Sequence, residues 1–478
     1  LDLVTNNINE PAGVFRNNVR ERQAASSHYL QVDLRGSAFN RHGIGTKIWL
    51  RYGDTTLYHE HYRQRGYLST VDQLVHFGLG QNTSVDELIV HFPDGRGTVL
   101  RDIAADQAVY VEWSRDLQTV LAPATAAPKG VWRAIALEDG PVHRASTASE
   151  FDVNVLSLRD RGQHGPDLEV IDLDEDGVDE LIFGQQVWRQ ENGQLVRTTD
   201  TIAANLTRKT KVYDDFTGNG MEVMLRAADY MDLCLFVPGE KTRRLPNTAG
   251  WWYSLNVTDL DQDGDLDVVA GNVGLNIPYR VSSEQPLVVR EDDFDGNGRL
   301  DVITLAYNGD RLHPVHPRNT LTRQLPSWKR MLTSFAAYGQ WTADDLPPMG
   351  ETGVERYATE FRSLYLENDG TGNFTAHPLP AAAQIAPLQD AINVTLDDGR
   401  PGLLCVQNDY AVEPLGGHFD AGTGFVLTLN EAGELVVRED LVRVRGDARA
   451  VVKLRTAEGG EMILVGMHDG PLLQLIKD

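Results

Sequence analysis

Asp259-Leu-Asp261-Gln-Asp263-Gly264-Asp-Leu-Asp267 is one of four acidic, glycine-containing stretches that indicate how this 478-residue chain is built. The other three begin at Asp172, Asp215 and Asp293, and the last interval is shorter than the first two. Oxygen side chains at alternate positions, with a Gly that permits a sharp turn, are typical of loops that bind a hard cation such as Ca²⁺. Recurrence with a period of roughly 40 to 50 residues predicts a repeat architecture.

These loops differ from EF-hands in two respects. An EF-hand has a bidentate Glu at position 12 and a helix on each side. Counted from the first Asp of the three complete loops, position 12 is Phe183, Ala270 or Thr304, and the acid stands at position 9 instead. The residues after it are mostly apolar and β-branched, as in strands. Each loop is therefore predicted to join two strands, with side-chain ligands at positions 1, 3, 5 and 9 and a backbone carbonyl near position 7.

The predicted metal ligands fall in three complete loops and one degenerate loop. In the degenerate loop Val223 replaces the acid, so Asp215, Thr217 and Asn219 form a weaker site. The alternative is a metal-free turn, because Asp, Asn and Gly are ordinary turn formers. Three complete loops in register favour calcium. Their ligand sets are Asp172, Asp174, Asp176 and Glu180; Asp259, Asp261, Asp263 and Asp267; and Asp293, Asp295, Asn297 and Asp301.

From about residue 150 onward the pattern resembles the FG-GAP/VCBS repeats. That resemblance implies an all-β chain whose calcium loops lie within the blades of a β-propeller, with the three ligand sets at the family's positions. The turn at 394–402 lacks the acids, so no metal is predicted there. The propeller is predicted over residues 131–478, and about 50 residues a blade gives seven blades, with six or eight left open. Apolar residues at helical spacing predict a helical insertion over 324–357.

A separate small β domain is predicted over residues 28–117. Polar and apolar residues alternate over 29–34, 47–52, 74–78, 87–92 and 108–113, which predicts five strands. Asn40-Arg-His-Gly-Ile-Gly45, Arg65-Gly-Tyr-Leu-Ser69, His76-Phe-Gly-Leu-Gly80 and Val90-His-Phe-Pro-Asp-Gly95 resemble the ASPIC/UnbV domain. Its usual partners are FG-GAP/VCBS propellers. A linker is predicted over 118–130, centred on Ala122–Pro128, which is rich in Ala and Pro.

Composition limits the possible functions. The formal net charge of −25 argues against binding to nucleic acid or to anionic lipid surfaces. The hydrophobic fraction of 41% is ordinary for a globular protein with a sizeable core. No apolar run is as long as a membrane-spanning helix requires, so no transmembrane segment is expected. Cys234 and Cys405 stand in apolar, strand-like runs and are predicted to be buried thiols.

The segment 1–27 is interpreted as the remnant of an upstream propeller repeat and a connector. Leu1-Asp2-Leu3-Val4 resembles the end of another calcium repeat, with Asp2 at its position 9. We therefore expect this chain to be part of a longer secreted precursor, with an extracellular or outer-membrane surface location. Ala270–Asn276 and Asn408–Pro414 add a resemblance to large, surface-exposed Bacteroidetes proteins.

Few side chains suggest catalysis. His313, His316 and Arg318 are the best candidates for proton transfer or carboxylate binding, although hydrogen-bonded loop residues are the favoured interpretation. His59 and His61 would share one strand face and could bind a metal, but a third ligand is missing, so solvent-facing residues are favoured. Trp251-Trp-Tyr253 could stack on sugar rings, yet blade cores also need aromatic residues.

Three functions remain open on the sequence. The first is a calcium-stabilised, non-enzymatic binding or scaffold protein of a bacterial surface, which could be part of an outer-membrane assembly for nutrient binding or uptake. Its partners would be other surface proteins or a glycan. The second is a polysaccharide-active lyase or hydrolase built on a calcium-loop propeller. The third is an adhesion or matrix protein. A fold alone cannot choose among them.

Overall fold

The computed structural model describes residues 2–7, 11–19, 21, 27–66, 69–120, 132–160, 162–163, 165–191, 193–201, 210–413 and 415–477. The chain forms two units, Leu1–Ala127 and Pro128–Asp478. The fold is all-β, with 46% of residues in strands and 6% in helices, as predicted. The predicted linker core at 122–128 lies outside the described residues. Among the described residues, no helix is long and apolar enough to cross a membrane.

The first unit contains a short hairpin and two larger sheets. The sheets share one buried core, in which Leu30 and Val32 of one sheet lie with Ile48 and Leu88 of the other. The hairpin pairs β1 (Leu3–Thr5) with β2 (Gly13–Phe15). The three-stranded sheet has the order β6 (Val75–Gly80), β3 (His28–Arg35), β9 (Gln107–Glu112), and the four-stranded sheet has the order β5 (Thr55–Glu60), β4 (Lys47–Tyr52), β7 (Ser84–His91), β8 (Gly97–Ala104).

All five strands predicted in this domain are present, with small shifts at their ends, and two further strands were missed. The missed strands, β5 and β8, are the two edges of the four-stranded sheet. Each has one neighbouring strand and exposes much of its length, so the hydrophobic alternation that marks a half-buried strand is weak.

The described residues of the second unit form six sheets, labelled I to VI. Sheet I is β11 (Leu168–Ile171), β12 (Glu180–Phe183), β13 (Gln186–Glu191) and β14 (Gln194–Thr201). Sheet II is β15 (Lys211–Asp214), β16 (Val223–Ala228), β17 (Met231–Phe236) and β18 (Arg243–Arg244). Sheet III is β19 (Trp252–Thr258), β20 (Asp267–Asn272), β25 (Leu364–Asn368) and β26 (Phe374–Pro378).

The remaining three sheets include sheet VI, which contains the first and the last described strands of the unit. Sheet IV has the order β23 (Arg311–Pro314), β22 (Asp301–Asn308), β21 (Leu287–Asp292), β24 (Val354–Ala358). Sheet V is β27 (Leu388–Thr395), β28 (Pro401–Gln407), β29 (Phe425–Leu429) and β30 (Leu435–Arg438). Sheet VI has the order β31 (Val442–Arg443), β10 (Trp132–Ala136), β34 (Leu473–Lys477), β33 (Glu461–Met467), β32 (Ala448–Arg455). In this sheet β10, the first described strand of the unit, pairs with β34, the last.

Neighbouring sheets pack face to face in the order II, III, V, VI, I, each junction with its own buried apolar cluster. This order fits a β-propeller, as does the pairing of β10 with β34. Residue pairs that represent the junctions are Leu225 with Leu255, Val269 with Leu403, Val406 with Val451, and Leu464 with Leu181.

Sheet IV is an insertion between β20 and β25, the second and third strands of sheet III. The helical insertion predicted over 324–357 lies between β23 and β24, but its helices and turns fall within 318–345, and residues 354–357 belong to β24. This helical segment contains α1 (Arg318–Gln324), α2 (Phe335–Tyr338) and 3-10 turns at Pro326–Arg330 and Ala343–Asp345. The described residues of the second unit thus form six sheets, where seven blades were predicted and six was left open, and the segment 273–363 forms one inserted sheet and its helices.

Candidate metal centres

Four hairpin loops carry the acidic pattern, and each joins two adjacent strands as predicted. They connect β11 to β12, β15 to β16, β19 to β20 and β21 to β22. The residue at position 9 begins the second strand every time, and the Gly at position 6 has a positive φ of 79 to 96°. A side chain at that φ would be strained, so Gly is required there for the turn. These loops are called loops 1 to 4 below.

Three of the loops bring carboxylates together. In each of these loops three acids contribute one carboxylate oxygen apiece, and the three oxygens all lie within 4.8 Å of one another. Loops 1 and 3 use positions 1, 3 and 5, whereas loop 4 uses positions 1, 3 and 9. The triads are Asp172, Asp174 and Asp176; Asp259, Asp261 and Asp263; and Asp293, Asp295 and Asp301.

The acids at position 9 of loops 1 and 3 lie outside these triads. Glu180 accepts a hydrogen bond from the Leu173 N–H at 2.8 Å. Asp267 accepts from the Tyr365 hydroxyl and, at 2.9 Å, from the Asn368 N–H. These partners orient the two carboxylates at the start of β12 and β20.

Loop 3 concentrates negative charge with no cation paired to its acids in the described part of the chain. Burial raises the pKa of Asp267 to about 6, and repulsion from Asp261 and Asp265 adds to the effect. The pKa values of Asp261 and Asp265 are also raised, by burial first and then by neighbouring carboxylates. Asp259 Oδ1 and Asp265 Oδ1 are buried and have no hydrogen-bond partner within the described part of the chain. Buried carboxylate oxygens that accept no hydrogen bond are suited to coordinate a cation.

Asp265 is a candidate ligand that the sequence reasoning missed. It stands at position 7, where the loop pattern predicted a backbone carbonyl. The hairpin turn between β25 and β26 lies beside it, since a Cβ built on Gly370 would be 3.2 Å from Asp265 Oδ2. Asp369 in that turn adds to the repulsion that raises the pKa of Asp265. The signal for this turn was present in the Asp-Gly-Thr-Gly-Asn sequence at 369–373.

Loop 1 contains the same pattern with arginines beside it. Arg455, at the end of β32, lies 3.3 Å from Asp172 and 2.6 Å from Asp179. Arg189 lies 3.4 Å from Asp174 and 3.7 Å from Glu180. Part of the negative charge of this loop is thus compensated by the protein itself.

The acids of loop 4 accept hydrogen bonds from the loop backbone and from the inserted helix. The N–H groups of Asn297 and Gly298 donate to Asp293, and the Gly298 bond is the largest cause of its lowered pKa. Burial raises the pKa of Asp301, which accepts a hydrogen bond from Gln324 Nε2 at 2.7 Å. The inserted α1 helix therefore orients the acid at position 9. Asn297 Oδ1, a predicted ligand atom, accepts from the Arg299 N–H.

Loop 2 has the shape of a metal loop but only one acid in its ligand set. Asp215 accepts hydrogen bonds from Thr217, Asn219 and Gly220, and the Gly220 N–H is the main cause of its lowered pKa. Val223 at position 9 is buried in the core between sheets II and III. Loop 2 belongs to none of the three triads found among the described residues.

The residues considered as catalytic candidates, His313, His316 and Arg318, mainly hydrogen-bond to backbone groups. His316 is buried, which lowers its pKa to about 4, and its Nε2 accepts from the Thr304 N–H at 3.1 Å. His313 Nδ1 lies 2.6 Å from the Trp341 carbonyl oxygen, and Arg318 donates to the Leu332 carbonyl. Trp251 and Trp252 are buried, as the core interpretation predicted, and so are Cys234 and Cys405.

The histidine pair of the small domain differs from its prediction. His59 and His61 are adjacent, with ring centroids 6.3 Å apart, but His61 is buried instead of facing solvent. Neither belongs to a group of three potential metal ligands among the described residues.

Comparison with solved structures gives distant matches. One is the crystal structure of BBS1N in complex with ARL6DN, soaked with mercury, at 10% identity and a TM-score of 0.27, covering 73% of this chain and 98% of that one. The lead-soaked crystal of the same complex matches at 11% identity and a TM-score of 0.24, with the same coverage. Scores this low support no inference about fold or function. No curated protein matches the chain.

The match to a known family concerns the first unit. Residues 36–117 match the family described as ASPIC and UnbV. The matched segment begins after β3 and includes β4 to β9. Since it covers both edges and the centre of the four-stranded sheet, the small β domain carries an ASPIC/UnbV domain.

Proposed function

We propose that this chain is a calcium-stabilised, non-enzymatic binding or scaffold protein that works outside the cell, at a bacterial surface. The observation that carries the proposal is loop 3, where acids converge and two buried carboxylate oxygens have neither a hydrogen-bond partner nor a paired cation among the described residues. A divalent cation would neutralise this repulsion. The triads of loops 1 and 4 extend the same chemistry to two further sites.

The donor set favours calcium among the common cations. Each triad offers carboxylate oxygens, which are hard ligands preferred by Ca²⁺ and Mg²⁺ over thiolate- or imidazole-binding metals. Ca²⁺ accepts six to eight oxygens in flexible geometry, so backbone carbonyls and water can complete the shell around each triad. In the proposed sites Asp259, Asp261 and Asp263 would hold one ion, and its chemistry would be charge neutralisation and cross-linking of the loop, with no part in a reaction.

The location outside the cell is supported by two considerations. The ASPIC/UnbV domain is compatible with an extracellular protein. Calcium modules outside cells bind with dissociation constants of about 10⁻⁴ to 10⁻³ M, and extracellular calcium is abundant enough to fill them.

The non-enzymatic part of the proposal rests on the contacts of the best catalytic candidates. His313, His316 and Arg318 are engaged with backbone groups, and burial lowers the pKa of His316 below the range useful for proton transfer near neutrality. The partners we propose are other surface proteins or a glycan. Nucleic acid is an unsuitable partner for a chain with a net charge of −25.

Metal content tests the proposal directly. We expect the full chain, dialysed against calcium and then analysed by mass spectrometry of the elements, to retain three calcium ions. Asp259→Asn should lower that number by one. Asp398→Asn is the matched control, because Asp398 stands in the corresponding hairpin of sheet V, which has no triad among the described residues. A chain that retains no calcium would contradict the proposal.

The enzymatic alternative needs its own experiment. We expect no product when the protein is incubated with acidic and neutral polysaccharides. Turnover that disappears in His313→Ala or His316→Ala, with the fold intact by circular dichroism, would replace the binding function with a lyase or hydrolase.

A further inference from the structure

The outer face of the four-stranded sheet carries a row of aromatic and aliphatic side chains. The strand register places four residues side by side across β5, β4, β7 and β8, namely Tyr58, Trp49, Ile89 and Val99. Their neighbours along the strands, such as Ile48 and Leu88, belong to the core that the two sheets share. Since side chains alternate between the two faces of a sheet, the row lies on the face turned away from that core.

Three aromatic rings on this side of the sheet lie close together near the solvent. Tyr58 is 51% exposed, and Tyr62, which follows β5, is 46% exposed. The ring of Trp49, which is partly buried, has its centroid 5.2 Å from that of Tyr58. Tyr58, Tyr62 and Trp49 are called the aromatic platform below. Apolar residues exposed singly are normal, whereas a contiguous group of them marks an interaction site.

The two tyrosines of the platform are held by one carboxylate. The hydroxyls of Tyr58 and Tyr62 donate to the two side-chain oxygens of Glu60, at 3.2 Å and 2.8 Å. The backbone carbonyl of Glu60 accepts in turn from Arg65 Nη2 at 3.2 Å. Side chains that are fixed before binding lose less conformational entropy when a ligand arrives. The exposed rings therefore form a surface that is arranged in advance.

Charged and polar side chains lie in rows on both sides of Tyr58 and Trp49. The register gives the two rows as Glu60, Lys47 and His91 on one side, and Arg51, Glu87 and Arg101 on the other. Glu87 forms ion pairs with Arg51 at 3.1 Å and with Arg101 at 2.7 Å. Groups of both signs therefore flank the rings, so the surface offers hydrogen-bond donors as well as acceptors.

A neutral saccharide matches this surface better than a charged ligand does. The C–H groups on one face of a sugar ring pack against the face of an aromatic ring, which carries partial negative charge. Each sugar hydroxyl can both donate and accept a hydrogen bond, as the flanking rows of mixed sign require. An acidic polysaccharide, or a second copy of this chain, would be repelled by the net charge of −25.

We propose that the aromatic platform of the ASPIC/UnbV domain binds a neutral oligosaccharide or polysaccharide. Tyr58 and Trp49 stack on sugar rings, Tyr62 extends the stacking surface, and the flanking charged groups hydrogen-bond to the hydroxyls. This site rests on the proposed function, which names a glycan among the partners, and it specifies the class of glycan and the residues that bind it. The platform belongs to the first unit, whereas the calcium loops belong to the second.

Affinity electrophoresis and calorimetric titration of the full chain test this site. The neutral probes are soluble xyloglucan, galactomannan and starch, and polygalacturonate is the acidic probe. We expect at least one neutral probe to retard the protein in the gel and to bind saturably in the titration, with no binding of polygalacturonate.

Substitution of the platform tyrosines gives the matched comparison. Tyr58→Ala should weaken binding of the neutral probe by at least about tenfold, because aromatic residues near the centre of an interface carry much of the binding energy. Tyr62→Ala should weaken it as well, and circular dichroism checks that both variants are folded. Tyr110→Ala is the control, since Tyr110 is also 51% exposed but lies in the three-stranded sheet of the same domain.

The titration is run in EGTA as well as in calcium, so that this site and the proposed calcium sites can fail separately. Binding of a neutral probe by a chain that retains no calcium would support the platform and contradict the calcium-stabilised function. A chain that retains calcium and binds no neutral probe would overturn the platform alone.

Three further results would overturn the proposal. The first is binding of polygalacturonate alone, and the second is a Tyr58→Ala variant that binds the neutral probe as tightly as Tyr110→Ala. The third is a dimer of the wild-type chain in size-exclusion chromatography that Tyr58→Ala dissociates and Tyr110→Ala does not, which would identify a second copy of the chain as the occupant.

Discussion

Loops 1 and 3 have the same acidic pattern and opposite electrostatic environments. In loop 1, the first-position Asp172 lies beside Arg455, and Arg189 lies near Asp174. In loop 3, the neighbours Glu367 and Asp369 are also acidic, and they raise the pKa values of the loop carboxylates further. Ligand spacing therefore defines a possible metal site, whereas residues from other strands set how much of the loop's negative charge is left for a metal ion to neutralise.

The largest difference should appear when calcium is removed. A site that binds calcium only in the folded state adds about 2.7 kcal/mol at a calcium concentration of about 100 times the dissociation constant. We expect EGTA to lower the melting temperature of the wild-type chain by several degrees, and Asp263→Ala, in loop 3, to remove much of this response. Differential scanning calorimetry with and without calcium measures both. An unchanged melting curve would show that the loops are ordinary turns.

The dependence of stability on pH should differ in sign between calcium-free and calcium-loaded protein. Asp267 has a pKa of about 6 in the folded chain, above the value of about 3.9 expected when unfolded. The folded state therefore binds the proton more tightly, and stability is lost as pH rises from about 4 to 6, by about 1–2 kcal/mol without calcium. Calcium needs the ionised carboxylates and should reverse this slope. Asp267→Asn should flatten the calcium-free profile measured by thermal unfolding.

Neutralising one acid should have opposite effects in the two loops when calcium is absent. Asp261→Asn relieves repulsion in loop 3 and retains an oxygen for the Asp263 N–H, so we expect a gain of about 0.5 kcal/mol. Asp174→Asn removes the partner of Arg189 in loop 1 and should give no gain or a small loss. Urea unfolding in EGTA compares the two variants. Equal changes in the free energy of unfolding of the two variants would mean that Arg189 and Arg455 do not offset the negative charge of loop 1.

The smallest effect is expected for Arg455→Gln. Its side chain is 58% exposed, so the loss of its pairs with Asp172 and Asp179 should cost little stability in calcium-free protein, because solvent screens exposed ion pairs. Loop 1 would then resemble loop 3, and the chain should gain more stability from calcium than before. Arg400→Gln, which removes an exposed pair with Asp398, is the control. If calcium stabilises both variants equally, Arg455 does not neutralise loop 1 in place of the calcium ion.

Much of the candidate site followed from local sequence. The Gly at position 6 must take a positive φ, and the acids before it must surround the turn, because these constraints involve only neighbouring residues. Asp265 was missed because its relevance depends on Asp369, which lies beyond the inserted sheet. The shorter interval between loops 3 and 4 was also interpreted as one more repeat in series, although loop 4 belongs to the inserted sheet IV.

Local sequence established the all-β class and the hairpin position of the acidic loops, because both depend on the two-residue alternation of strands and on turn chemistry, which act over a short stretch of chain. The family of the small domain followed from its resemblance in four separate motifs. The tertiary structure was needed to show that Arg455 compensates loop 1, that sheet IV interrupts sheet III, and that His61 is buried. These features arise from contacts between residues far apart in the chain, and local patterns carry no information about which distant strand will lie alongside.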